Sequence, residues 1–152
     1  MARQSEGGLK VIATNRKAYH EYHIEDTIEA GIVLVGSEVK SVAAGKVSLN
    51  DAYCRVENGE MWVYHMHIAP YDPAARFNHE ARRKRKLLLH KWEIARLGSK
   101  AEQKGYTLIP LKLYFRNGKV KLEIGLAKGK RKYDKREAIR QRDIERALRR
   151  GD

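Results

Sequence analysis

Cysteine is almost missing from this chain: Cys54 is the only one in 152 residues. A lone thiol excludes an intramolecular disulfide framework and suits a reducing compartment. Long hydrophobic runs are missing as well. No window approaches the roughly 18–20 apolar residues that a membrane span requires. The opening stretch MARQSEGGLKVIATNRK holds no apolar segment long enough for a signal peptide. Together these shortages predict a cytoplasmic chain with no membrane partner. Acid is in short supply too, since 19 Asp and Glu face 32 Lys and Arg, a formal charge of +13. A protein this basic gathers polyanions. Its basic C-terminal tail lacks the broad apolar face needed to lie on a bilayer, so nucleic acid is the expected partner.

The usual signatures of catalysis are absent. The sequence has no Walker loop, no Rossmann glycine fingerprint and no GxSxG elbow. Among the six histidines, His20 and His23 stand in HEYH without the i, i+4 spacing of a helical zinc site. His65 and His67 would share a strand face, but two ligands alone do not make a metal centre. No pair of carboxylates emerges that could hold a metal or activate water, as a barrel nuclease would need. Cys54 falls on the inward face of its strand and reads as a core thiol. The expectation is a protein that binds without catalysing, with no cofactor and no metal.

What the sequence does contain is strand alternation punctuated by turns. In AYCRV, Ala52, Cys54 and Val56 share one face, and the following Asn58-Gly59 is a hairpin signal. MWVYHMHI then places Trp62, Tyr64, Met66 and Ile68 together, with Val63, His65 and His67 opposite. A second hairpin joins TLIPLKLYF to VKLEIGLA through Asn117-Gly118, and alternation turns Lys121 to solvent. Pro110 belongs at an edge or a bulge. Upstream, AYHEYHI and GIVLVG predict two strands and SEVKSVAAG a short helix. KLLLHKWEIARLGSKAEQKG predicts a longer helix, with Leu87, Leu88, His90, Ile94 and Leu97 near 3.6-residue spacing. The intervening PYDPAARFNHEARRKR, with two of the three prolines, predicts an exposed loop.

About six strands and few helices make this a mainly β chain, and a small closed OB-like barrel accommodates them. The barrel is assigned to residues 1–127, with 1–14 expected to be flexible. A basic tail follows at 128–152, where eleven Lys and Arg face five Asp and Glu.

Two basic segments invite contact with phosphate. RRKRKLLLHK carries six bases in ten residues (Arg82–Lys91), and Arg82, Arg83, Lys84 and Lys86 are the expected contacts. Three consecutive leucines on a helix would sweep about 200°, so one of Leu87, Leu88 and Leu89 should be exposed. In the tail, Glu137 with Arg140, Asp143 with Arg146, and Glu145 with Arg149 have the spacing of helix-supporting ion pairs. The expectation there is a segment disordered when free and helical in a polyanionic groove.

NRKAYHEYHI, IEAGIVLVGSEVKS, GEMWVYHMHIAPY, RKLLLHKWEI, KGYTLIPLKLYF and GLAKGKRKYDKRE occur here in order. Together they closely resemble the SsrA-binding protein family, SmpB, from about Asn15 into the tail. The resemblance implies an OB-like barrel that binds the tRNA-like domain of transfer-messenger RNA, as a monomer, and enters stalled ribosomes with it in trans-translation. It implies RNA contacts from Glu29, Leu88 and Lys121. It also implies that the tail gauges the empty mRNA channel near the decoding centre, against small-subunit RNA. Ribosome contacts are then expected from Lys128, Lys130, Arg131, Lys132, Tyr133, Asp134, Lys135, Arg136 and Ile144. Ala43-Ala44 stands where the family often has Leu-Arg or a similar basic element, so no arginine contact is carried over there. A generic OB-fold RNA chaperone and a barrel nuclease are the competing readings.

Overall fold

The computed structural model describes residues 8–71 and 78–130. In chain order its elements are β1 (Leu9–Thr14), α1 (Arg16–Glu21), β2 (Tyr22–Ile32), α2 (Gly36–Ala43), β3 (Val47–Ser48), β4 (Tyr53–Glu57), β5 (Glu60–Tyr64), β6 (His67–Ile68), β7 (Arg85–Leu88), α3 (Lys91–Ala101), β8 (Tyr106–Arg116) and β9 (Lys119–Gly129). Strands β8, β4, β5, β7, β2 and β9 follow one another as neighbours, and β9 pairs again with β8, which closes a six-stranded ring. Every pairing in it is antiparallel. This is the closed, mainly β, OB-like barrel expected from the sequence. β1 lies outside the ring, along β8, although residues 1–14 were expected to be flexible.

Both Asn-Gly pairs make the turns they signal. Asn58 and Gly59 take φ of 50° and 77°, Asn117 and Gly118 of 51° and 79°. Positive φ at both central residues is what a type I′ hairpin requires, and Asn and Gly tolerate it best. Pro110 sits where the β8–β9 register slips, between Pro110 and Lys112. The bulge changes which side of β8 faces the barrel: Leu108 before it and Leu113 after it both enter the main core. Ile109 and Leu111 point the other way, where Ala18 of α1 covers them. That second cover explains why TLIPLKLYF is so evenly apolar.

Three local expectations are overturned. AYHEYHI is not one strand: Asn15 accepts from the Ala18 amide at 3.2 Å and so caps α1, whose last residues are His20 and Glu21. The same buried Asn15 donates to the Pro110 carbonyl at 3.0 Å, which ties α1 to the barrel. GIVLVG is not a strand of its own either, because β2 runs through its first two residues and stops at Ile32. KLLLHKW does not begin a helix. Leu87 and Leu88 belong to β7, and α3 starts only at Lys91, after a box in which Glu93 accepts from the His90 amide. Strand alternation, not a helical sweep, therefore exposes Leu88 and buries Leu87.

The face assignment of MWVYHMHI is also corrected. Met61 and Val63 point inward, Trp62 and Tyr64 outward, and yet Met66 and Ile68 are buried. His65, at φ 63°, breaks the alternation between the two halves. At the other end of the barrel, Lys128 lies within β9, opposite His23 of β2 and Tyr106 of β8, so it is a barrel residue and not a tail residue. The chain leaves the barrel beside α1, where the Lys130 amide donates to the Glu21 carbonyl at 3.0 Å. Arg131, Lys132, Tyr133, Asp134, Lys135, Arg136 and Ile144 lie outside the described residues.

Candidate nucleic-acid interface

Leu88, Gly31, Lys121 and Tyr114 form one row across four strands. Gly31 is opposite Leu88 of β7 and Lys121 of β9, and Lys121 is opposite Tyr114 of β8. Residues directly opposite in a sheet present their side chains on one face. Here that face is the outer wall, since Leu87, Ile32, Leu122 and Leu113 on the alternate positions face the core. Glu29 stands two residues before Gly31 and joins the same face. The result is a groove of about 420 Å³ lined by Glu29, Gly31, Leu88, Leu89, His90, Glu93 and Lys121. Glu29, Leu88 and Lys121, separated by 92 residues in sequence from first to last, thus share one hollow.

Gly31 supplies the depth. A Cβ there would stand 3.2 Å from the Leu88 Cβ and fill the floor between Leu88 and Lys121. Leu88 is 53% exposed, an apolar ridge with no protein cover. Glu29 Oε2 accepts from the Tyr114 hydroxyl at 2.6 Å and from Arg116 Nε at 2.8 Å. Partial burial pushes its carboxyl up. The Tyr114 and Arg116 hydrogen bonds, with the charges of Arg116 and Lys121, outweigh burial and hold it below the usual glutamate range. At neutral pH Glu29 is therefore an ionised acceptor, locked in place. Tyr114 is pushed up by burial and by the same carboxylate, so it remains a donor. Lys121 makes no ion pair among the described residues, which leaves its ammonium available to an anion. The groove can accept hydrogen bonds from bases or ribose at Glu29, pack a sugar or base on Leu88, and hold a phosphate on Lys121.

The basic segment behaves differently. It appeared in sequence to have almost no compensating acid, and the fold brings that acid from elsewhere. Arg83 and the fully buried Arg85 both bond to Glu38 of α2. Arg85 also donates to the carbonyls of Met66 at 2.6 Å and Ala81 at 3.1 Å. Lys84 reaches Glu57 at 3.4 Å and lies over the Trp62 ring, 4.6 Å from its centroid. Lys86 pairs with Glu60, and Arg82 donates to the His65 carbonyl at 3.3 Å. None of Arg82, Arg83, Lys84 and Lys86 lines the groove, although Lys86 precedes Leu88 by two residues on the same strand face.

Sequence reasoning overlooked Gly31, Tyr114 and Arg116. Gly31 stood inside the quoted IEAG stretch, and a glycine inside a strand pattern is itself a signal of close approach. Nothing in the sequence could have joined Tyr114 or Arg116 to Glu29, because that pairing depends on the path β2–β9–β8. Among the described residues no three His, Cys, Asp or Glu side chains converge to hold a metal, and no helix is long and apolar enough to cross a membrane. Cys54 is buried, and burial raises its thiol far above the ordinary range.

A closed six-stranded barrel with a mixed-charge groove on its outer wall belongs to the oligonucleotide-binding class of barrel. The family model described as SmpB protein matches residues 12–151, and the chain belongs to that family. It is 60% identical over 141 residues to the SsrA-binding protein of Persephonella marina, which covers 93% of each chain. To the SsrA-binding protein of Caldicellulosiruptor bescii it is 59% identical, over 97% of this chain and 93% of that one. Among solved structures, a chain from work on tmRNA-SmpB and its journey to the center of the bacterial ribosome is 51% identical. It superposes with a TM-score of 0.69 over 84% of this chain and 94% of that one.

Proposed function

We propose that this protein binds the tRNA-like domain of transfer-messenger RNA through the Glu29–Leu88–Lys121 groove, as a monomer and without catalysis. In the cytoplasm it delivers that RNA to stalled ribosomes for trans-translation. The observation that carries this reading is the meeting of those three residues on one concave wall, with an ionised acceptor, an open apolar ridge and an ammonium that makes no ion pair among the described residues. The names of its relatives support it: they are SsrA-binding proteins, and the solved neighbour is a tmRNA-SmpB assembly at the bacterial ribosome. In this reading the tail from Lys130 onward, with Tyr133, Asp134, Lys135, Arg136 and Ile144, enters the vacant mRNA channel as a helix and gauges whether message is present.

Filter-binding titrations test the first half. Transfer-messenger RNA should bind far more tightly than unstructured RNA of equal length, whereas a generic RNA chaperone would bind both alike. Cleavage dependent on a divalent metal would instead favour a nuclease. Truncation after Lys130 tests the second half. Tagging on stalled ribosomes should be abolished while RNA affinity is nearly unchanged, and normal tagging by the truncated chain would overturn the gauge role.

A further inference from the structure

Among the described residues Trp92 is the most exposed of the large hydrophobic side chains, at 65%. It contributes nothing to the core. The buried residues of α3 are Ile94 and Leu97, and Trp92, two positions before Ile94, points about 200° away from it around the helix. Its ring lies nearly parallel to that of His90, at an interplanar angle of 9° and 6.4 Å between centroids. His90 is a wall of the groove, next to Leu88. Leu88, His90 and Trp92 therefore make an uncovered apolar and aromatic ridge that begins in the groove and runs outward along the start of α3.

An indole left in water has lost nothing by folding, but it offers a broad π face beside a hollow that holds both an ammonium, Lys121, and the carboxylates of Glu29 and Glu93. Every base has a matching π face, and a nucleotide offers what this lining can use. It brings phosphate for Lys121, which has no ion pair among the described residues, and for the exposed Lys91, and base or ribose donors for the Glu29 carboxylate. A protein ligand with an apolar helix would bury Leu88 and Trp92 but leave Glu29 and Lys121 facing an apolar partner, at the cost of two desolvated charges. A nucleotide strand satisfies all of these groups at once.

We propose that the His90–Trp92 ring pair is a stacking platform for an unpaired base of the RNA whose backbone occupies the groove. This rests on the proposed function and assigns it a residue outside the groove itself. Trp92 would position the RNA by stacking, and Lys121 by charge.

The chain has two tryptophans, Trp62 and Trp92, and Trp62 sits on β5, three strands around the ring from β9. The variant Trp62→Phe thus leaves Trp92 as a single fluorescent reporter. Titrated with the isolated tRNA-like domain of transfer-messenger RNA, its emission should quench to saturation at the same midpoint as filter binding. Trp92→Ala should weaken binding on the order of ten-fold, and Trp92→Phe should retain most of the affinity, with circular dichroism unchanged in both. The proposal is overturned if Trp92 emission and the affinity of Trp92→Ala are both unchanged while Lys121→Ala still weakens binding. Failure of the wild-type chain to bind the RNA at all would instead overturn the proposed function, and this inference with it.

Discussion

The basic run RRKRK and the mixed-charge groove make opposite use of their cations. RRKRK is the densest run of positive charge in the barrel sequence, yet Arg83, Lys84, Arg85 and Lys86 each have a carboxylate brought to them by the fold. The groove has one lysine of its own, Lys121, which makes no ion pair among the described residues. Density along the chain therefore does not measure charge available to a ligand. What matters is whether Glu38, Glu57 and Glu60 fold back onto the run. Arg85 and Glu38 in particular form a buried tie that fastens α2 to the start of β7 and is closed to solvent.

Breaking that tie should produce the largest effect. Glu38→Ala leaves Arg85 charged and buried without its partner, and the expected loss of stability is about 3–5 kcal/mol in urea denaturation. RNA affinity of the protein that remains folded should change little, because Glu38 does not line the groove. Lys121→Ala should do the reverse. Thermal and chemical stability should stay within experimental scatter, and RNA binding should weaken by about 1–3 kcal/mol in filter titrations.

The salt dependence sharpens the same contrast. Removing Lys121 should flatten the slope of log K against log salt by about 0.7–0.9, the share of one phosphate. The triple change of Arg82, Arg83 and Lys84 to Gln should flatten it by less than its three charges would suggest, because two of the three already have carboxylate partners. A loss of three full contacts would show that RNA displaces those glutamates. The smallest effect concerns acid. Burial pushes the Glu38 carboxyl up, but bonds from Arg83, the Val35 amide and Arg85 outweigh it and hold the pKa below the usual range. Its stabilisation is therefore complete above the ordinary glutamate range and fades as pH falls through that range toward the depressed value. Wild-type unfolding followed from neutral pH downward should show this decline, and Glu38→Gln should show less of it.

Much of the barrel could be read from residues close together in sequence. Asn58-Gly59, Asn117-Gly118 and Pro110 each signal a local backbone event, and each event is there. The misreadings share a cause. Leu87-Leu88-Leu89 fits a helical period as well as a strand, and only pairing with Gly31 and Ile32, more than fifty residues upstream, decides it. The Asn15 cap was a local signal for α1 that alternation in AYHEYHI concealed. At the groove, alternation could turn Lys121 outward, but the positions of Glu29 and Leu88 came through family resemblance. Their meeting is a property of the β7–β2–β9 register, which no local pattern encodes.

One strand links the groove to the root of the tail. β9 carries Lys121 near one end and Lys128 near the other, seven residues or about 23 Å along the strand. From Lys121 to Lys128 it is hydrogen-bonded on both flanks, by β2 and by β8. It has no edge to fray and no hinge within that span. It acts as a strut of fixed length. If the groove holds RNA as proposed, that grip and the last described residues of the chain sit a fixed distance apart, so whatever the tail does is measured from the place where the RNA would be held.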